Sequence, residues 1–246
     1  MSIQTEEELR LLRIVGMIVR QALNAMTAAA EPGVTTAELD RICARVFAEQ
    51  GATSAPRKVY NFPGACCISV NDEAIHGVPG NRALAEGDLL KLDVTAEKDG
   101  YYADAAVTVR VGAVSETASA LADCAKSAFH AAMRAAKAGS RILEIGRAVQ
   151  REVRRHGFSV LPEYGGHGIG RTIHELPHVP NYPDLTQRAR LNPGLVLAVE
   201  PIITTGSGRS YVERDGWTVR TSDHSLAAHH EHTIVITKGA PYLVTA

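Results

Sequence analysis

The stretch LLKLDVTAEKDGYYADAAVTVRV, residues 89–111, alternates apolar and polar side chains on both sides of a turn signal, and so predicts an antiparallel hairpin. With Lys98-Asp99 as the two loop residues, Asp93 stands directly opposite Asp104, on one face with Lys91, Thr95, Tyr102, Ala106 and Thr108. With Asp99-Gly100 as the loop, the two aspartates become a diagonal pair and keep their shared face. The other face carries Leu90, Leu92, Val94, Ala105, Val107 and Val109, the pattern of a half-buried strand. Two carboxylates so placed repel each other. Either that face is solvated, or a cation lies between them and needs further ligands from elsewhere in the chain.

The rest of the chain sets bounds. Its 246 residues allow one large domain or two small ones, with a substantial core in either case. A net charge of -1 gives no electrostatic reason to expect nucleic acid or an anionic membrane as partner. The start, MSIQTEEELR, lacks the features of a signal peptide, and no apolar run approaches the roughly 18 residues of a membrane span. A soluble, cytoplasmic protein is expected. Cys43, Cys66, Cys67 and Cys124 show no CxxC spacing, which argues against a zinc knuckle or redox motif.

Residues 5–30 read as a helix with an apolar face from Leu9 to Leu23, ended by Pro32-Gly33. A second helix runs from about Thr36, whose hydroxyl is a candidate cap, to Gly51. The pattern returns after the hairpin, with an Ala-rich helix over 116–138 and another through Ile142, Ile145, Val149 and Val153 to Gly157. A shift of 106 residues superposes Gly33 on Gly139, Glu38 on Glu144, Leu39 on Ile145 and Gly51 on Gly157, the trace of an internal repeat. The expectation is an α+β fold in which two αα-then-β halves, about 1–112 and 113–246, share one sheet with helices on one side. With no linker between them, the halves are expected to form a single catalytic domain over 1–246.

Three further stretches carry polar residues that demand a reason. In EYGGHGIGRTIHELPHVPNY, residues 163–182, glycines crowd His167, with His174 and His178 following. Glycines there let backbone or ligand approach the imidazole closely, whereas a phosphate loop fits poorly because no GK[ST] ending follows. In LNPGLVLAVEPIITTG, residues 191–206, Glu200 is a carboxylate in an otherwise apolar strand, and such a group must be paired or metal-bound. In SLAAHHEHTIVIT, residues 225–237, alternation puts Ala227, His229, Glu231 and Thr233 on one face, with His230 and His232 on the other.

Asp93, Asp104, His167, Glu200 and Glu231 together offer four carboxylates and one imidazole. Four negative charges balance two divalent cations, whereas the same carboxylates crowded without metal would drive each other's pKa up. Oxygen-dominated ligation suits Mn or Fe(II), tolerates Co, and is less typical of structural Zn. Two such ions activate water and clamp an attacked oxygen, which points to hydrolysis.

At these residues the chain resembles the type I methionine aminopeptidases of the pita-bread fold. SVNDEAIHGVP, LDVTAEKDGYYAD, GHGIGRTIHELPHVPNY, AVEP and DGWTVRTSDHSLAAHHEHT carry the resemblance, in the family's order and over nearly the whole chain. The resemblance implies a curved antiparallel sheet covered by helices, and removal of the initiator methionine ahead of a small second residue by a metal-bridging hydroxide. It implies two divalent ions (Co, Mn, Fe(II) or Zn) on Asp93, Asp104, His167, Glu200 and Glu231, with Asp104 and Glu231 bridging. Glu200 would shuttle the proton, and His76 and His174 would contact the scissile amide. The methionine side chain would lie against Phe62, Cys67, Ile173 and Trp217, with His76 at its edge. The implied partners are peptides or nascent chains bearing N-terminal methionine, met at the ribosome by a monomeric enzyme. The chain departs from the usual pattern at Ile173 and Val59, where pocket aromatics are common, at Ala105 in place of Thr, and at His229 in place of Gln. Loss of two aromatic walls is expected to reshape the pocket and to shift substrate preference before it disturbs the ligands, the rival specificities being another N-terminal residue or an Xaa-Pro bond. A non-catalytic binding relative is the third alternative.

Overall fold

In the computed structural model, which describes residues 1–246, the hairpin turns at Asp99-Gly100, with Lys98 paired to Tyr101 and Leu89 to Arg110. Asp99 and Gly100 have φ of 52° and 78°, the type I′ turn whose twist matches that of paired strands. The register built on Lys98-Asp99 is therefore wrong, and the Asp99-Gly100 register is the observed one. A loop at Lys98-Asp99 would put Lys98 in left-handed backbone, where Gly100 sits without a Cβ penalty. Asp104 consequently pairs with Thr95 and Asp93 with Ala106, so the aspartates are diagonal neighbours on one face.

Five helices form: α1 (Glu6–Ala28), α2 (Thr36–Gln50), α3 (Ala55–Tyr60), α4 (Glu116–Ala135) and α5 (Ile142–Arg155). The cap of α2 is Thr35, in a reciprocal capping box with Glu38, while the Thr36 hydroxyl donates to Gly80 O at 3.0 Å. The positions matched by the 106-residue shift do the same local work. Gly33 and Gly139 precede α2 and α5 at φ of 92° and 85°, and Gly51 and Gly157 follow them at 60° and 78°. Helix α3 was not anticipated, being a single six-residue segment with Pro56 in its first turn and too short to show periodicity.

The main sheet has nine strands, all paired antiparallel. Its central order is Leu89–Lys98, Tyr101–Arg110, Glu231–Val235, Val196–Val199 and Gly165–Gly168, with Cys67–Val70 added to the first of these. Residues 225–237 do not run as one strand. Ala227–His229 leaves to pair with Ile202–Thr204 in a smaller sheet, and Glu231–Val235 joins the main one. The break falls at His230, whose N–H donates to Pro201 O at 3.2 Å.

The helices cover one face of the sheet, as the alternation requires. Leu90, Leu92, Val94, Ala103 and Ala105 pack with Leu12, Val15 and Val19 of α1 and Leu39 of α2. Leu197, Val199, Ile234 and Ile236 pack with Leu121, Phe129, Ile145 and Val149 of α4 and α5. Burying such aliphatic side chains stabilises the fold by roughly 1.5–3 kcal/mol each. The opposite face is left for polar residues.

Candidate metal centre

Two adjacent rows on that free face bring the chemistry together. One row runs Asp93, Ala106, Glu231 across three strands, and Glu200, one residue past the Val199 that pairs with His232, comes level with Glu231. The next row runs Thr95, Asp104 and, beyond Thr233, Ala198 and His167. The five residues thus come from five neighbouring strands. Ala106 is small and stands between Asp93 and Glu231, which leaves room above it. Gly166 and Gly168 flank His167 because a Cβ there would lie 2.2 Å from Ala198 O and 2.4 Å from Leu176 O. These glycines serve the close approach of neighbouring strands, and the Gly168 backbone oxygen also reaches the imidazole, 2.9 Å from Nδ1.

Ligand atoms of Asp104, His167 and Glu231 lie within 4.8 Å of one another, and so do those of Glu200, His229 and Glu231. His167 Nδ1 lies 2.9 Å from Gly168 O, so it is the protonated nitrogen and leaves Nε2 with a free lone pair, 3.6 Å from Glu200 Oε1. Burial first, then the charge of Asp104, pushes the Glu200 carboxyl up to about 8. Burial likewise raises Asp104 to about 6, against a hydrogen bond from Thr95 that lowers it. Asp93 and Glu231 are driven well above the carboxylate range by burial and then by their acidic neighbours. Asp104 Oδ1, Glu231 Oε1 and both ring nitrogens of His229 are buried without a hydrogen-bond partner. Four crowded carboxylates, imidazole lone pairs and orphaned buried acceptors fit divalent cations, which would satisfy charge and valence at once.

The cavity over this centre measures about 290 Å³ and is also bounded by His76, His174, Phe62, Cys67, Ile173 and Trp217. Trp217 is half-buried and meets Phe62 edge-on, with ring centroids 5.2 Å apart. Cys67 pairs with Asp93 across the strands, which fixes the distance from thiol wall to acidic floor. Burial lowers His76 to about 4, and it also lowers His174, so both rings are neutral near pH 7. His76 holds φ of 56°, a strained conformation for a non-glycine residue that aims its ring at the cavity.

Two of the departures lie elsewhere. Ala105 is fully buried on the helix-covered face, and Val59 is 44% exposed and off the cavity wall. The expected loss of two aromatic walls is therefore only a loss at Ile173, because Tyr60 supplies an aromatic from the end of α3. Its hydroxyl lies 2.6 Å from His174 Nδ1. Nothing in the sequence singled out Tyr60. Thr95, by contrast, falls on the aspartate face by alternation.

A family model described as metallopeptidase family M24 matches residues 10–238. The chain is 44% identical over its whole length to methionine aminopeptidase 2 of Bacillus subtilis, covering 99% of that protein. It is 34% identical to the crystal structure of methionine aminopeptidase from Thermotoga maritima, with a TM-score of 0.96, covering 100% of this chain and 99% of that one. The methionine aminopeptidase structure from Rickettsia prowazekii gives the same identity and TM-score with full coverage of both chains. Prolidase from Pyrococcus furiosus, 22% identical with a TM-score of 0.79 over 99% of this chain and 65% of that one, shares the fold alone. The fold is the pita-bread fold, and the chain belongs to metallopeptidase family M24, among the methionine aminopeptidases.

Proposed function

We propose that this protein removes the initiator methionine from nascent chains in the cytoplasm when the second residue is small. The observation that carries this reading is the joining of an acidic floor, built from five adjacent strands, to an apolar wall of Phe62, Cys67, Ile173 and Trp217 in one cavity. Asp93, Asp104, His167, Glu200 and Glu231 would hold two divalent ions (Mn, Fe(II), Co or Zn). When bound, the ions supply Lewis acidity and lower the pKa of water.

The chain's own groups do the rest. Glu200, whose own proton leaves when a cation binds, would take a proton from the attacking water and return it to the leaving amine. His167 keeps its Nδ1 proton on Gly168 O, which fixes the ring plane. If Tyr60 donates to His174 Nδ1, the His174 proton sits on Nε2, from which it can donate to the scissile carbonyl. His76, neutral and half-buried, offers a second uncharged contact to the peptide. The thioether of methionine packs against the Phe62 and Trp217 rings and the Cys67 thiol, contacts that a branched side chain fills less well.

Chelation followed by readdition of Mn(II) or Co(II) tests the reading. Hydrolysis of a Met-Ala-Ser peptide is lost on chelation and restored by either ion, and Asp104→Ala does not recover. Activity that survives chelation, or an unchanged Asp104→Ala, contradicts it.

A further inference from the structure

His229 stands where the five-ligand set has no use for an imidazole, and it is 1% exposed with neither ring nitrogen hydrogen-bonded. A buried histidine without a partner forfeits solvation and gains nothing in return, which calls for an explanation. Its Nε2 points at the centre, 3.4 Å from Glu231 Oε2 and 3.8 Å from Glu200 Oε2. On the other side of the same carboxylate, His167 Nε2 lies 3.6 Å from Glu200 Oε1. Glu200 is thus flanked by two imidazoles at matching distances, one on each oxygen. These separations exceed a normal hydrogen bond and suit donor atoms that share a cation about 2.0–2.2 Å from each.

The backbone holds His229 there. Its N–H donates to Thr108 Oγ1 at 2.9 Å, and its carbonyl accepts from the same hydroxyl at 2.8 Å. It ends the strand Ala227–His229, paired with Ile202, just before the break at His230 that delivers Glu231 to the main sheet. The break therefore turns both His229 and Glu231 toward Glu200.

We propose that His229 is a sixth protein ligand of the centre, binding a divalent cation through Nε2 together with Glu200 and Glu231. This rests on the cation-binding reading above. A second imidazole makes the centre softer than a carboxylate-dominated one and tilts it toward Co(II) and Zn(II) over Mn(II).

Paramagnetic proton NMR of the Co(II)-loaded protein tests this, with His229→Gln as the comparison. Two exchangeable, strongly shifted imidazole N–H signals are expected in the wild type, from Nδ1–H of His167 and of His229. One disappears in His229→Gln and the other persists, which also shows that the variant is folded around its cation. In titrations, Co(II) affinity of the variant falls by about ten-fold or more, on the scale of losing a group that supports a metal, and Mn(II) affinity falls less. Cobalt X-ray absorption of the wild type, independent of any variant, counts two imidazoles per protein. A single shifted signal that is unchanged in His229→Gln, or one imidazole per protein, overturns the role of His229 and leaves the five-ligand centre standing. A wild-type protein that retains no Co(II) overturns both.

Discussion

Asp104 and Thr233 are joined twice through one hydroxyl: Asp104 N–H donates to Thr233 Oγ1 at 2.8 Å, and Thr233 Oγ1 donates back to Asp104 O at 2.9 Å. The ladder between these strands is paired only at Glu231–Ala106 and His232–Ala105, so this side chain carries the register on to the next row. Thr233 is fully buried. Thr233→Val keeps the shape and strands both backbone groups, which costs about 1–3 kcal/mol of stability. A lower thermal midpoint and weaker Mn(II) binding are expected together, and Thr233→Ser is expected to restore both. Calorimetry of the three proteins checks it.

Binding of cations is expected to be coupled to proton release. Glu200, raised from 4.5 to about 8, still holds its proton at pH 7, and Asp93 and Glu231 are shifted in the same direction. A carboxyl must be ionised to bind a cation, and Glu200 loses that proton. Asp104, at about 6, contributes mainly below neutrality, and His167, lowered to about 3, contributes nothing near pH 7. Apparent Mn(II) affinity should therefore climb as the pH rises through the Glu200 pKa of about 8. Titration calorimetry at pH 7 in buffers of different ionisation enthalpy reads the released protons directly. A heat that does not depend on the buffer contradicts the shifts.

Tyr60, outside the expected pocket, is expected to hold the His174 ring for catalysis. Tyr60→Phe removes the hydroxyl 2.6 Å from His174 Nδ1 and frees the ring to exchange tautomers. A loss of about five-fold in kcat is expected, the worth of one hydrogen bond of about 1 kcal/mol, with little change in KM. The residue is 43% exposed, so the melting temperature should hold. Steady-state kinetics beside a melting curve separates the two effects.

Trp217 meets the edge of Phe62 on the apolar wall and is not part of the main core clusters. Trp217→Ala should lower kcat/KM for methionyl peptides about ten-fold, near the upper end of the roughly 0.5–1.5 kcal/mol attached to such aromatic contacts. The change should appear mainly in KM and should narrow the preference for methionine over leucine. Kinetics on paired Met and Leu peptides measures it.

Much of the fold and the site was readable because period-two alternation reports which face a residue occupies. With a two-residue loop it put Asp93 and Asp104 on one face, and it put Ala198 with Glu200. Pairing register was less legible, since Lys98-Asp99 and Asp99-Gly100 differ only in which residue must adopt left-handed backbone. The break at His230 was invisible, because alternation continues through it while the hydrogen-bond partners change. Val59 and Tyr60 show a third limit. A six-residue helix has no period to read, so which of two adjacent residues faces the cavity is decided by tertiary packing.

Comparison of kcat/KM for Met-Ala-Ser, Leu-Ala-Ser and Ala-Pro-Ser peptides, with the protein loaded in turn with Mn(II), Co(II) and Fe(II), bears most directly on the proposed activity. Cleavage after methionine well ahead of the other two, with every metal that supports turnover, is the predicted result. Faster turnover of the leucyl or Ala-Pro peptide would contradict the assignment.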